Sequence, residues 1–235
     1  MVSKTICFIP ARSGSKRIPR KNLLPLAGKP LLTYSIEVAR QAGVFEDIVV
    51  SSDDKEILDL ADSFGVTIDC RPERLSGDNI RFVEVIEEYL QRPGTKSKCA
   101  NIACMLPTCP FRTVDDIRES YRLFMEQADE VFLVAVTEYD FPPQLALDLA
   151  EDEMTLSMRE PDAYGRTTRS QSLGKVYHPN GAIYLATVKG FLREKTFFAN
   201  PMIGYVMPSS RSLDIDYPYQ FRIAECMMGA TERDE

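Results

Sequence analysis

Between residues 5 and 136, short unbroken apolar runs alternate with segments whose apolar residues recur at helical spacing. The runs are 5–10, 47–51, 66–68, 101–106 and 131–136; the periodic segments are 30–40, 55–64, 82–89 and 113–127. Strands buried on both faces read as continuous apolar runs, and strand–helix alternation favours parallel crossovers. An α/β fold of three layers is therefore expected, with a mostly parallel, twisted sheet. Pro30 suits a first helical turn, Asp53 or Asp54 can cap the helix at 55–64, and Gly65 stops it. Ligands of such sheets lie outside the carboxyl ends of the strands. Arg12, Ser51 to Asp53, Arg71 and Pro107-Thr108 all follow strand ends, so one crevice should gather them.

The loop after the first strand concentrates charge. Arg12, Lys16, Arg17, Arg20 and Lys21 are five cations in ten residues, in a chain with 28 Lys and Arg against 35 Asp and Glu. Arg grips phosphate oxygens in pairs and Lys acts as a point charge, so the loop suits several phosphates in a row. Ser13-Gly14-Ser15 is expected to turn tightly and aim N–H groups at the ligand. Neither a Walker G-x-x-x-x-G-K-[ST] spacing nor a dinucleotide G-x-G-x-x-G is present. A nucleoside triphosphate site is the first expectation, with a solvated basic loop as the alternative, and the strand–loop–helix context favours the former.

Ser212-Leu213-Asp214-Ile215-Asp216 is the second chemical signal. In extended backbone, residues two apart share a side. Asp214 and Asp216 would then present both carboxylates together, with Ile215 turned into the core. Mg²⁺ takes one or two carboxylates, water and substrate phosphate oxygens, so the pair complements the basic loop. Asp216 is also a candidate cap for the closing helix at 218–228.

The formal charge of −7 argues against a nucleic-acid duplex as partner. No run approaches the roughly 18 apolar residues of a membrane span, and no leader with a small-residue cleavage site is read at the N-terminus. Six cysteines without a C-x-x-C pair fit a reducing cytoplasm. Residues 1–235 are expected to form one domain. From Phe141 the rhythm changes: 144–149 is strand-like, 151–153 a turn, and 154–171 a polar, Arg-rich stretch without clear period. An irregular stretch of that length is expected to be functional or to pack on a partner. Residues 141–176 are therefore read as a protruding arm across a dimer interface. Strands return at 177–185 and 203–207.

Taken in order, the motifs resemble those of the acylneuraminate cytidylyltransferases, a family that includes enzymes for legionaminate and pseudaminate. The segments are Ala11-Arg12-Ser13-Gly14-Ser15-Lys16, Lys21-Asn22, Ser52-Asp53, Arg71-Pro72, Pro107-Thr108-Cys109-Pro110-Phe111-Arg112, Asn180-Gly181-Ala182-Ile183-Tyr184 and Asp214-Ile215-Asp216. The resemblance implies a Rossmann-like nucleotidyltransferase fold and a homodimer with shared active sites. It implies that CTP and a nonulosonic sugar acid react to give the CMP-sugar and pyrophosphate. By it, Ala11 to Lys16, Lys21, Asn22, Arg71 and Asp78 bind the nucleotide, with Arg12, Lys16, Lys21 and Asp216 catalytic, and Asp214 and Asp216 hold Mg²⁺. Leu106, Thr108, Gln144, Arg169, Asn180, Phe197 and Phe198 fall on the sugar side. Leu106 stands where the family often has Gln, and Asn79-Ile80-Arg81-Phe82 where it has small hydroxyl residues. No dedicated general base is evident: His178, the only histidine, is the obvious candidate by chemistry, but a lone His before Pro-Asn is more often structural or substrate-contacting. Arg166, Arg169 and Lys175 are the candidate cations for the sugar carboxylate. A 3-deoxy-manno-octulosonate cytidylyltransferase and a nucleotide-binding regulator without turnover are the alternatives.

Overall fold

The computed structural model describes residues 4–95, 99–151, 153–164 and 173–231. A seven-stranded sheet carries the fold. Its strands are β1 (Thr5–Pro10), β4 (Asp47–Ser52), β5 (Thr67–Cys70), β6 (Asn101–Cys104), β7 (Phe132–Glu138), β10 (Tyr177–Thr187) and β11 (Met202–Val206), in the order β11-β7-β10-β6-β1-β4-β5. The short pair β2 (Pro25–Leu26) and β3 (Lys29–Pro30) forms a separate ribbon, as does the hairpin of β8 (Leu147–Leu149) and β9 (Leu156–Met158). β10 runs antiparallel to both its neighbours, and all other pairings in the main sheet are parallel.

The apolar runs are central because both faces are covered. On one face, α1 (Leu31–Ala42), α2 (Lys55–Ser63) and α4 (Val114–Met125) pack Leu32, Ile36, Ile57, Ile117 and Phe124 against Cys7, Ile9, Val50 and Leu133. On the other, α3 (Phe82–Gln91) and α5 (Val188–Glu194) pack Val83, Ile86, Leu90 and Phe191 against Ile6, Phe8, Val49 and Ile102. A smaller cluster joins α6 (Pro218–Thr231) through Ala224 to Ile18, Leu26, Leu31 and Ile215. Layers on both faces are what alternating crossovers build.

Local expectations resolve residue by residue. Asp54, not Asp53, caps α2 by accepting from the Glu56 N–H at 2.8 Å. Asp53 turns back to the basic loop instead. The closing helix is not capped by Asp216: the Gln220 side chain accepts from the N–H groups of Asp216 and Tyr217 at 2.8 and 2.7 Å. The stretch read as aperiodic after residue 154 contains β9, which pairs with β8 in register Leu149↔Leu156. Leu147, Leu149, Leu156 and Met158 on that hairpin are all exposed.

β1 sits between β6 and β4, with its crossovers leaving in opposite directions, so the crevice of the sheet opens at its carboxyl end. β6 stops at Cys104, after which the Met105 N–H bonds the Phe8 carbonyl and the Leu106 N–H that of Gly181. Gly181 occupies φ 73° inside a register shift of β10, and a Cβ there would meet Cys109 Sγ and Leu106 Cδ1 at 3.0 Å each. Gly181→Ala is expected to destabilise by about 2–3 kcal/mol through left-handed strain plus overpacking, read as a lower urea midpoint. Gly14 lies outside that backbone region and a Cβ on it meets nothing within 4 Å. Gly14→Ala should therefore stay within about 0.5 kcal/mol of the parent.

Candidate active site

A cavity of about 770 Å³ opens at the carboxyl end of β1, within the range of small-molecule sites. Its lining joins the two signals that lie some two hundred residues apart, Arg12, Ser15, Lys16, Arg17, Lys21 and Asn22 on one hand and Asp214 and Asp216 on the other, and adds Arg71 and Asp78. Ile80, Phe82, Leu106 and Phe198 add apolar surface beside Thr108.

The basic loop is held from beneath. Ala11 is buried and donates its N–H to the Ser51 carbonyl at 2.9 Å, carrying the strand one residue past β1. Asn22 Nδ2 donates to the Arg12 carbonyl at 2.9 Å. The Ser13 N–H and hydroxyl both bond Asp53, at 2.9 and 2.6 Å, and the Ser15 N–H bonds the Ser13 carbonyl. Asp53 has its carboxyl lowered: burial opposes this, and the Ser13 bonds and the charge of Arg71 outweigh it. The Ser13 N–H therefore does not aim into the cavity as expected, being spent on Asp53. Ala11 and Ser13 support the site rather than line it, and Gly14 is outside the lining too. Arg20, at φ 55°, turns away to Glu56 and lies outside the cavity, so four of the five loop cations line it.

Three patterns of charge follow. Asp78 bridges Arg12 Nη1 at 3.3 Å and Lys16 Nζ at 2.7 Å, and its carboxyl is held low, mostly by the Lys16 hydrogen bond. Lys21 is buried, and its Nζ donates to the Ile215 carbonyl at 2.6 Å and to Asp216 Oδ1 at 3.0 Å. Arg71 is buried with Nη2 on the Ser51 carbonyl at 3.0 Å, and burial lowers the pKa of its guanidinium.

Residues 212–216 belong to no strand; the Ile215 N–H bonds the Thr108 carbonyl at 2.9 Å, and Ile215 is fully buried while Asp214 and Asp216 on either side of it line the cavity. The Asp214 carboxyl is pushed up by burial, drawn down by a hydrogen bond from Thr108, and pushed up again by the charge of Asp216. A raised folded-state value means that the folded chain holds the proton more tightly than the unfolded one. Stability tied to this group is thus complete below the ordinary Asp value and is lost as pH rises through the folded value. Asp214→Asn is accordingly expected to raise the melting temperature at pH 7, with the gain vanishing near pH 3.

Several predicted residues fall elsewhere. Asn180 is 1% exposed, and its amide is spent on the Ser212 hydroxyl at 2.9 Å and on the Ala182 N–H at 3.1 Å. It braces β10 against the loop before Asp214 and does not reach the cavity. Phe197 is fully buried among Phe82, Tyr184 and Phe191, so only Phe198 of the aromatic pair lines the site. Gln144 lies outside the cavity in a 3₁₀ turn, with Nε2 on the Gly174 carbonyl at 3.2 Å. Lys175 pairs with Glu138 at 2.6 Å. His178 sits against the Tyr139 ring, 4.6 Å between centroids, and does not line the cavity. Arg166 and Arg169 lie outside the described residues. Thr196, Ile80 and Arg81 do line the cavity. Thr196 carries no local signal, because only the turn after α5 brings it there.

No cluster of three His, Cys, Asp or Glu side chains suited to a metal ion occurs among the described residues. Asp214 and Asp216 stand as a pair, the number of carboxylates that a phosphate-bound Mg²⁺ takes from protein. No helix among them is long and apolar enough to cross a membrane.

Residues 6–199 match a family model described as cytidylyltransferase. A pseudaminic acid cytidylyltransferase of Campylobacter jejuni is 36% identical over 91% of each chain. An N-acylneuraminate cytidylyltransferase of Escherichia coli is 37% identical over 95% of this chain and 52% of its own length. A CMP-N,N'-diacetyllegionaminic acid synthase of Legionella pneumophila is 30% identical over 96% of both. The solved structure of a CMP:2-keto-3-deoxy-manno-octonic acid synthetase shares the fold, with a TM-score of 0.73 over 97% of this chain and 100% of that one at 16% identity.

Proposed function

The chain belongs to the cytidylyltransferase family, and on that premise we propose that it activates a nonulosonic sugar acid with CTP, giving the CMP-sugar and pyrophosphate. The observation that carries this is the meeting of Arg12, Lys16 and Lys21 with Asp214 and Asp216 around one cavity. The oxygen of the sugar's C2 hydroxyl bonds to the α-phosphorus, the bond from that phosphorus to the bridging oxygen breaks, and pyrophosphate leaves. The hydroxyl proton passes to water. Such a transfer is mostly positioning and charge stabilisation.

Each residue has a place in that step. Arg12 and Lys16, once Asp78 yields to the triphosphate, neutralise charge growing on the leaving pyrophosphate. Lys21 is anchored by the Ile215 carbonyl and stays beside the α-phosphate. Arg71 and Asn22 hold the nucleotide end of the cavity. Leu106, Phe82 and Phe198 offer apolar surface to the sugar's acyl and methyl groups, with the Thr108 hydroxyl beside them. Asp214 and Asp216 fit Mg²⁺: the charge of Asp216 already disfavours ionisation of Asp214, and a cation shared between them relieves that repulsion. When bound there, Mg²⁺ polarises the α-phosphate and the attacking hydroxyl.

The proposal includes one cytidylyltransferase domain over residues 1–235 and a dimerisation arm over 141–176, supported by the exposed leucines of the β8–β9 hairpin. Gln144 and Arg169 would serve the neighbouring subunit's sugar from that arm. Six free cysteines support a reducing, cytoplasmic setting. The test is pyrophosphate release from CTP across pseudaminic, N-acetylneuraminic and legionaminic acids and the eight-carbon 3-deoxy-manno-octulosonic acid. Release with one or more nine-carbon acids is expected. Release with the eight-carbon acid alone, or CTP binding without release, overturns the proposal.

A further inference from the structure

Asp216 is held by two cations of different character. Lys21 reaches Oδ1 at 3.0 Å, is buried, and is tied at the same time to the Ile215 carbonyl. Arg17 approaches Oδ2 at 3.6 Å, with a side chain 54% exposed. Its guanidinium carbon lies 4.4 Å from the centroid of the exposed Tyr217 ring, which itself stacks on Tyr219. Arg17 also lines the cavity. One cation is thus fixed, and the other is loosely paired and resting on an aromatic face at the edge of the site.

An exposed ion pair binds weakly, so Arg17 can leave Asp216 at small cost. A divalent cation on Asp216 would repel it from Oδ2, and the triphosphate brings oxygens that a guanidinium grips in pairs. The Tyr217 ring attracts a cation in either position within roughly 6 Å of its centroid. Building on the metal reading above, we propose that Arg17 is a transferable counter-ion: it competes with the divalent cation for Asp216 and passes to the phosphate oxygens as the metal–nucleotide enters. Arg17 thereby couples metal release from Asp216 to loss of the nucleotide.

Mn²⁺ titration of the nucleotide-free protein, followed by electron paramagnetic resonance of free Mn²⁺, tests this without turnover. Arg17→Gln is expected to tighten Mn²⁺ binding by about two- to fivefold, the span of an exposed ion pair. The same variant should raise KM for CTP by roughly tenfold through loss of a charge-assisted contact. Arg17→Lys, which keeps the charge and loses the paired grip and planar stacking, should leave Mn²⁺ affinity near that of the parent and raise KM for CTP less. If Asp216→Asn abolishes Mn²⁺ binding while Arg17→Gln leaves it unchanged or weaker, the counter-ion role is overturned and the metal site survives. If Asp216→Asn leaves Mn²⁺ binding intact, the metal reading and this inference fall together.

Discussion

Asp216→Asn is expected to lower kcat/KM by roughly 10³-fold, because metal stabilisation of phosphoryl charge is worth several kcal/mol. The amide keeps the shape of the carboxylate but not its charge, so Lys21 and Arg17 lose their shared partner at 3.0 and 3.6 Å. The Arg17 pair is exposed and contributes little. Lys21 is buried but keeps the Ile215 carbonyl as an acceptor, so the fold should lose about 1–2 kcal/mol. Steady-state pyrophosphate release, measured beside a thermal melt, checks both parts. A variant turning over at the parental rate would remove Asp216 from the metal site. Loss of activity with collapse of the melt would make it a structural residue.

Arg112→Ala is expected to have the largest effect on stability, about 3–5 kcal/mol, in the range of breaking a buried charged network. Arg112 is 4% exposed, and its hydrogen-bond partners among the described residues are neutral. Its guanidinium gathers four acceptors: the carbonyls of Cys109, Leu106 and Ala182 and the Ser35 hydroxyl. Burial lowers its pKa, yet Arg stays charged, so the bonds must compensate for desolvation. Without it the carbonyls of Leu106, Cys109 and Ala182 lose this donor and a cavity opens where the guanidinium stood beside Ser35. Against a total stability of about 5–15 kcal/mol, such a loss should show as a much lower urea midpoint or as insoluble protein. Arg112→Lys cannot reach several acceptors in one plane, and is expected to recover only part of the loss. A parental midpoint in both variants would refute this role.

The two predictions separate side chains that act on the ligand from those that shape the cavity, a separation that residue type alone does not make. Asn180 and Arg112 sit in motifs as prominent as those of Lys21 and Asp216, yet both are nearly inaccessible to solvent: Arg112 bonds the Ala182 carbonyl and Asn180 the Ser212 hydroxyl. Phe197 and Phe198 are adjacent and chemically identical; one is in the core and one lines the site. Both lie in the irregular segment between α5 and β11, and which of them turns inward depends on elements far along the chain.

Burial of a sheet on both faces leaves its mark in each strand separately, so the layered fold was readable from apolar runs and helical periods. Charge density is likewise local: the cations after β1 and the Asp214–Asp216 spacing were readable as a basic loop and a pair of acids. Distance across the fold is not local. Only the packing of β10 beside β6, the turn after α5 and the seating of Ile215 under α6 decided that Lys21 meets Asp216, that Asp78 holds Arg12 and Lys16, and that Asn180 faces inward. Those contacts join residues tens to nearly two hundred positions apart. The side chains concerned would look the same in sequence whichever neighbour the fold brought to them.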